Sequence, residues 1–220
     1  MRAALAGAVM LAGGMAAADD WPEDRVGPRA PWDAAYDEAG GRRFIPMQLI
    51  VPAPWNGAHA IDFPPAGFVD IDGDRWSGPV DDVDAFSGRP IRAYAREREN
   101  RREGHVQQRF AVRAEQDGLG RTRDSRFGGL ACAGELKFPL GEWREGETRR
   151  NEYACSARGA APVGRVNVIT IERLDFTCRG IAHCLQFRWT HRIEGREEPL
   201  DDRRYVFAPG LGEIAHDRLR

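Results

Sequence analysis

The stretch Leu185–Ile193 (LQFRWTHRI) decides the fold class of this 220-residue chain. Its apolar residues Leu185, Phe187 and Trp189 alternate with polar ones. A period of two places alternate side chains on opposite faces of a strand, whereas a helix would spread these apolar side chains around its axis. The stretch therefore predicts a β-strand with one buried face.

The sequence on either side of this strand is also β-prone. Apolar and polar residues alternate in the same way over residues 106–113. In Val166–Cys178 the apolar residues change from one set of alternate positions to the other between Val168 and Ile169, which indicates a bulge or burial on both faces. Residues 44–51 predict a further strand, and Tyr205–Ile214 predicts a closing hairpin.

The fold class follows from counting these segments. Residues 62–90 are rich in turn-forming residues and are predicted to be mostly loop. About eight or nine strands, with turn signals at intervals of roughly ten residues, predict a mostly β fold. We expect an antiparallel meander that forms a barrel, half-barrel or sandwich, with little helix.

The N-terminus is typical of an exported protein. Arg2 precedes an uncharged stretch, Ala3–Met15, and an Ala-x-Ala site ends at Ala18, which predicts a secretory signal peptide over residues 1–18. Residues 19–43 predict an extended arm, and 44–220 a single β domain. After cleavage we expect no transmembrane segment and a periplasmic or secreted location.

The four cysteines predict two disulfides, since an even count in an oxidising compartment is most simply explained by pairing. Cys178 and Cys184 flank a short turn between two predicted strands, so we expect one bridge there and a second between Cys132 and Cys155. A bridge between Cys155 and Cys178 is the alternative.

The charge composition argues against a nucleic-acid partner. The formal net charge is −2, whereas affinity for phosphate backbones grows with the number of neutralising cations. Of the 32 basic residues only Lys137 is a lysine, which we interpret as a bias of genome composition.

The acidic residues Asp70, Asp72 and Asp74 offer oxygen ligands at alternate positions, as calcium prefers. The EF-hand register fails, however, because Arg75 stands where that motif needs glycine. An exposed turn whose carboxylates cap backbone N–H groups explains the same residues, so we expect no cofactor and keep a structural calcium as the alternative.

Candidate ligand-binding residues are aromatic side chains in loops or on the apolar faces of strands, together with one histidine. For the tryptophans in loops, the alternative is that they plug the ends of the core, and for the histidine that it is a satisfied core residue. The set is Trp55, Trp76, Phe110, Phe187, Trp189, His191 and Tyr205.

Three short stretches carry a family resemblance. Arg43–Leu49 with Ala53–Gly57, Phe138–Trp143 and Tyr205–Ile214 resemble segments of exported bacterial β-rich proteins that are distantly similar to the periplasmic lipoprotein-carrier family. The resemblance implies a curved antiparallel half-barrel, which in that family shields acyl chains. It transfers no catalytic residue, and the helices that form the lid of the carriers are missing here.

These observations favour a noncatalytic, exported binding or envelope-associated protein that holds an apolar ligand or a partner protein on its sheet. The nucleophile motif G-x-S-x-G and the metal motif H-E-x-x-H are both missing from the sequence. The alternatives are a hydrolase of envelope polymers that uses Asp or Glu carboxylates near Trp55 and Trp76, and a purely structural assembly component.

Overall fold

The structure is a computed structural model that describes residues 42–52, 63, 66–100, 104–113, 118–126 and 129–219, without the side chains of Asn100 and Arg113. The predicted signal peptide, nearly all of the predicted arm and Trp55 lie outside the described residues.

Strands dominate the described residues, and one helical turn, α1, accompanies them. The elements are β1 (Arg43–Ile45), α1 (Met47–Ile50), β2 (Phe68–Val69), β3 (Arg75–Val83), β4 (Pro90–Asn100), β5 (Gly104–Arg113), β6 (Gly118–Asp124), β7 (Leu130–Ala133), β8 (Phe138–Pro139), β9 (Gly141–Trp143), β10 (Thr148–Ser156), β11 (Val163–Cys178), β12 (Ile181–Ile193), β13 (Asp201–Ala208) and β14 (Gly212–Arg218).

Twelve of these strands form one antiparallel sheet in the order β14-β13-β12-β11-β10-β7-β6-β5-β4-β3-β2, with β8 paired to β6. Neighbours in the chain are neighbours in the sheet except between β7 and β10, where the chain leaves the meander. There β9 pairs with β1 to form a separate two-stranded sheet. The predicted mostly β, antiparallel fold is confirmed, and the sheet is open, so it is not a closed barrel.

The core lies where the β1–α1 and β8–β9 segments pack against the large sheet. Ile45, Leu49 and Trp143 from these segments are fully buried in one cluster with side chains of the sheet. Phe138 is the centre of its aromatic part, with ring centroids 5.6 to 6.4 Å from four other rings. Those rings belong to Phe110, Phe187, Tyr205 and Phe207.

Two sequence predictions need correction. The strand expected over residues 44–51 ends at Ile45, because Pro46 cannot donate a ladder hydrogen bond and begins the helical turn α1 instead. Residues 62–90, expected to be mostly loop, contain β2 and the whole of the nine-residue strand β3, in which Gly78, Pro79 and the consecutive Asp81 and Asp82 mask the strand pattern. The register shifts in β11 begin at Ile171, beyond the expected slip at Val168.

Both predicted disulfides are present. Cys132 and Cys155 are directly opposed on β7 and β10, with Cα atoms 4.1 Å apart, and Cys178 joins Cys184 across the turn between β11 and β12. Each bridge therefore joins strands that are adjacent in the sheet.

Phe138→Ala is expected to lower the free energy of unfolding by about 3–5 kcal/mol, because it empties the centre of the aromatic cluster, where this side chain is only 3% exposed. Phe86→Ala, at a position 39% exposed, is the matched control and should cost about 0.5 kcal/mol or less. Urea unfolding of both variants measures the difference. Equal losses would show that Phe138 is not a core residue.

Candidate functional site

A cavity of about 540 Å³ lies beside the aromatic core and is open to solvent on one side. Strands β6, β7, β10, β11, β12 and β13 contribute to its wall, and so does Lys137, just before β8. This volume is within the range of small-molecule binding sites. Three candidate residues from the sequence, Trp189, His191 and Tyr205, line it.

The register of the sheet explains why these side chains meet. Trp189 and His191 are two residues apart on β12 and therefore share a face. Arg203 on β13 is opposite Trp189, and Asp201 is opposite His191. Directly opposed residues of antiparallel strands share a face, so all four project on the same side.

The part of the wall nearest solvent is apolar. Val163 and Leu200 line the cavity and are 42% and 46% exposed. Leu130 and three alanines of the loop between β10 and β11 line the same cavity. An apolar group could therefore rest at this opening.

The wall is strongly cationic. Five of the described lining residues are arginine or lysine, and Asp201 is the one carboxylate among them. Arg121 is bound to Glu135 and Asp124, with N–O distances of 3.0 to 3.2 Å, and Arg203 is bound to Asp201. Arg126 is bound to the same Asp124, with an N–O distance of 2.6 Å.

Lys137 and Arg165 differ from the other cations of the cavity. Among the residues that the structure describes, no carboxylate lies within 4.0 Å of the charged nitrogens of either side chain. Nζ of Lys137 is 4.9 Å from the ring centroid of Trp189 and 5.7 Å from that of Phe138. Burial, and then the nearby charge of Arg121, lower the pKa of Lys137 to about 7.

His191 belongs to a fully hydrogen-bonded network. Its Nε2 lies 2.8 Å from Nη1 of Arg165, and since a guanidinium can only donate, Nε2 is the acceptor. Nδ1 therefore carries the proton and donates to Oδ1 of Asn167 at 2.9 Å, next to the hydroxyl of Tyr153. Burial, and then the charge of Arg165, lower the pKa of His191 to about 4. This histidine is neutral at ordinary pH and orients Arg165.

Two buried donors in the cavity wall have no hydrogen-bond partner among the described residues. They are Nε1 of Trp189, a residue 3% exposed, and Nε of Arg165. A buried donor without an acceptor costs about 1–3 kcal/mol of folding free energy.

Of the described residues, the other candidate aromatic side chains, Trp76, Phe110 and Phe187, lie in the core and do not line the cavity. Trp76 stacks on Phe110 with centroids 5.7 Å apart, and Phe187 stacks on Tyr205 at 5.4 Å. Trp76 thus occupies the plug position that the sequence analysis set against a binding role. Conversely, sequence reasoning missed Lys137, Arg165 and the apolar opening, although the uniqueness of Lys137 was visible in the composition.

The acidic residues 70–74 form a turn. The carboxylate of Asp70 accepts hydrogen bonds from the backbone N–H groups of Asp72 and Asp74 and from Nε1 of Trp76, at 2.8 to 3.0 Å. Asp74 in turn forms an ion pair with Arg96. Within the described part of the chain, no three His, Cys, Asp or Glu side chains are grouped as metal ligands.

Comparison of the chain with protein-family models, with curated proteins and with solved structures finds no match. The resemblance to the lipoprotein-carrier family stays a prediction. No helix in the described residues is long and apolar enough to span a membrane.

His191 is expected to protonate only near pH 4, while the pKa of His216 is raised by its hydrogen bond to Glu213. Because the pKa of His191 is lower in the folded chain than in the unfolded chain, its contribution to stability is complete above about pH 6.5 and is lost as the pH falls towards 4.

NMR titration of the imidazole rings measures both values, with His191→Gln identifying the signal. A His191 signal that titrates above that of His216 would contradict the network described here. Between pH 7 and pH 4.5, the free energy of unfolding measured with urea should fall less steeply for His191→Gln than for the wild type.

Proposed function

We propose that this chain is an exported binding protein whose cavity holds a small ligand with an apolar body and an anionic group. The observation that carries the proposal is the pairing, in one cavity, of an apolar opening with two cations, Lys137 and Arg165, that no described carboxylate neutralises.

The charge of the ligand follows from the electrostatics of the wall. A cation in a partly desolvated cavity attracts an anion more strongly than it would in water. The guanidinium of Arg165 is hydrogen-bonded to the neutral ring of His191 and to no described carboxylate, so its charge is available to carboxylate or similar oxygens. An anion would supply charge and acceptors together, which a neutral ligand cannot do.

The apolar part follows from Val163 and Leu200. Covering exposed aliphatic side chains contributes about 25 cal/mol per Å² of apolar surface removed from water. Large exposed apolar side chains that flank a cavity are typical of ligand-binding grooves. A ligand with its anionic end near Arg165 and an alkyl or aryl part at this opening would satisfy both regions.

Two observations support export. The two disulfides are compatible with an extracellular or periplasmic location, since such bonds persist in oxidising compartments. The Ala-x-Ala site that ends at Ala18 is the second support. A periplasmic location is accordingly part of the proposal.

Octanoate is the first probe of this function, with 1-octanol as the uncharged analogue. Calorimetry should detect octanoate binding, and 1-octanol should bind at least about tenfold more weakly because it lacks the charge, a difference of about 1.4 kcal/mol. Leu200→Asp should weaken octanoate about tenfold by replacing apolar contact with a like charge. Val83→Asp, at a position 47% exposed on β3, is the matched control and should bind as the wild type does.

The proposal is wrong if octanoate does not bind, or if 1-octanol binds equally well. It is also wrong if both aspartate variants weaken binding to the same extent, because the opening at Leu200 would then have no special role.

Octanoate affinity should also depend on pH through Lys137. A bound anion favours the protonated amine, so affinity is constant below about pH 7 and falls as the pH rises above it, by up to tenfold per pH unit. Lys137→Arg keeps the charge at all these pH values and should remove the dependence. His191 stays neutral over this range. The other ionisable groups that act on Lys137 are Arg121, Arg126, Glu135 and Glu213.

A further inference from the structure

Lys137 is the only lysine in a chain whose basic residues otherwise are all arginines, and it lies in the wall of the one cavity that carries the proposed function. Composition alone attributes its uniqueness to genome bias. The structure adds that this amine is half-buried, is placed over the ring of Trp189, and has no described carboxylate as an ion-pair partner.

Lysine offers this position a chemistry that arginine cannot. A guanidinium keeps its proton under all ordinary conditions, whereas a desolvated amine can lose it and become a nucleophile. Burial and the nearby charge of Arg121 both favour the neutral amine of Lys137 and lower its pKa to about 7. A large fraction of the amines is then neutral near pH 7, while an exposed lysine, with a pKa of about 10.4, is almost wholly protonated.

The groups around Lys137 suit one class of reaction partner. Arg165, which lines the cavity beside the neutral His191, supplies a cation for a carboxylate. Val163 and Leu200 offer contact to an apolar chain. An oxo acid with an apolar chain brings all three features: an electrophilic carbonyl carbon, a carboxylate and a hydrophobic tail.

We propose that Lys137 captures such oxo acids covalently, by forming a reversible imine between its amine and the carbonyl carbon of the ligand. The lone pair of Nζ forms the new C–N bond, and the carbonyl oxygen takes up a proton as its π bond breaks. The nitrogen gives up one proton to yield a carbinolamine. The hydroxyl group of the carbinolamine then takes up a second proton and leaves as water while the nitrogen lone pair forms the C=N bond, and the iminium gives up its last N–H proton to solvent. One water leaves for each imine formed, and no oxidant or reductant takes part.

This inference rests on the proposed function, because it names the ligand class of the same cavity and adds a covalent bond to it. It also predicts a pH response opposite to that of a simple carboxylate. Imine formation needs the neutral amine, so capture should strengthen up to about pH 7, where octanoate binding begins to weaken.

The test is reductive trapping of 2-oxooctanoate with cyanoborohydride, followed by intact mass measurement and peptide mapping. Since the chain has one lysine, a modified lysine can only be Lys137, and the α-amine serves as an internal reference. We expect Lys137 to be trapped at least about tenfold faster than Nα-acetyl-lysine amide at pH 7, because more of its amine is neutral. At low ligand concentration the rate should rise with pH and level off near pH 7.

Lys137→Arg is the matched variant, which should lose trapping at this position while the α-amine reacts as before. Excess octanoate should slow trapping of Lys137 in the wild type, which links the reaction to the cavity without any substitution. The ketone 2-octanone, which lacks the carboxylate, should be trapped at least about tenfold more slowly.

Each failure has a separate meaning. If octanoate binds but Lys137 reacts no faster than the free amino acid, covalent capture is overturned and the proposed function stands. If octanoate neither binds nor slows trapping, the proposed function is overturned, and covalent capture of a ligand in this cavity is overturned with it. Equal trapping of 2-octanone would overturn the assignment of oxo acids as the ligand class.

Discussion

The buried ion pair between Arg121 and Glu135 is the constraint on which the site depends. Two N–O distances of 3.1 and 3.2 Å tie the β6 strand to the segment that leaves the sheet after β7. Asn151 and Asn167 hold the next residue, Leu136, by its backbone N–H and C=O. Removing one partner of such a pair leaves a buried charge, at a cost of about 3–5 kcal/mol. The segment is thus held on both sides, and this places Lys137 in the cavity.

The same guanidinium also sets the electrostatics of the cavity. Arg121 is itself neutralised by Glu135 and Asp124, yet it is the strongest single charge that destabilises the protonated amine of Lys137. Arg121 therefore contributes both to the position of Lys137 and to the lowered pKa of its amine. The fold neutralises the arginines that hold it together and leaves Lys137 and Arg165 without a described carboxylate, although each could have been paired as Arg203 is paired with Asp201.

The sequence predicted those features that depend on local alternation. The strand at Leu185–Ile193 follows from periodicity and the Cys178–Cys184 bridge from its short spacing, whereas the Cys132–Cys155 bridge, which spans 23 residues, follows only as the remaining pair; the structure confirms all three. Parity shows which face of a strand is buried but not what covers it. Phe187 and Trp189 have the same parity, two residues apart, and both belong to the core, yet of the two only Trp189 also lines the cavity. The ring of Phe138 packs against Phe187, whereas Lys137 lies over Trp189 in the cavity wall, and alternation along β12 encodes neither contact.

The role of His191 could not be predicted from the sequence, because it depends on which groups hydrogen-bond to the two ring nitrogens. On the strand it could be read as a general base or as a satisfied core residue. In the structure it accepts from Arg165 and donates to Asn167, so it orients the guanidinium without cancelling its charge. A carboxylate at this position would form an ion pair with Arg165 and remove the attraction for an anionic ligand. A neutral imidazole is therefore the side chain that both fixes Arg165 in place and leaves its charge available to the cavity.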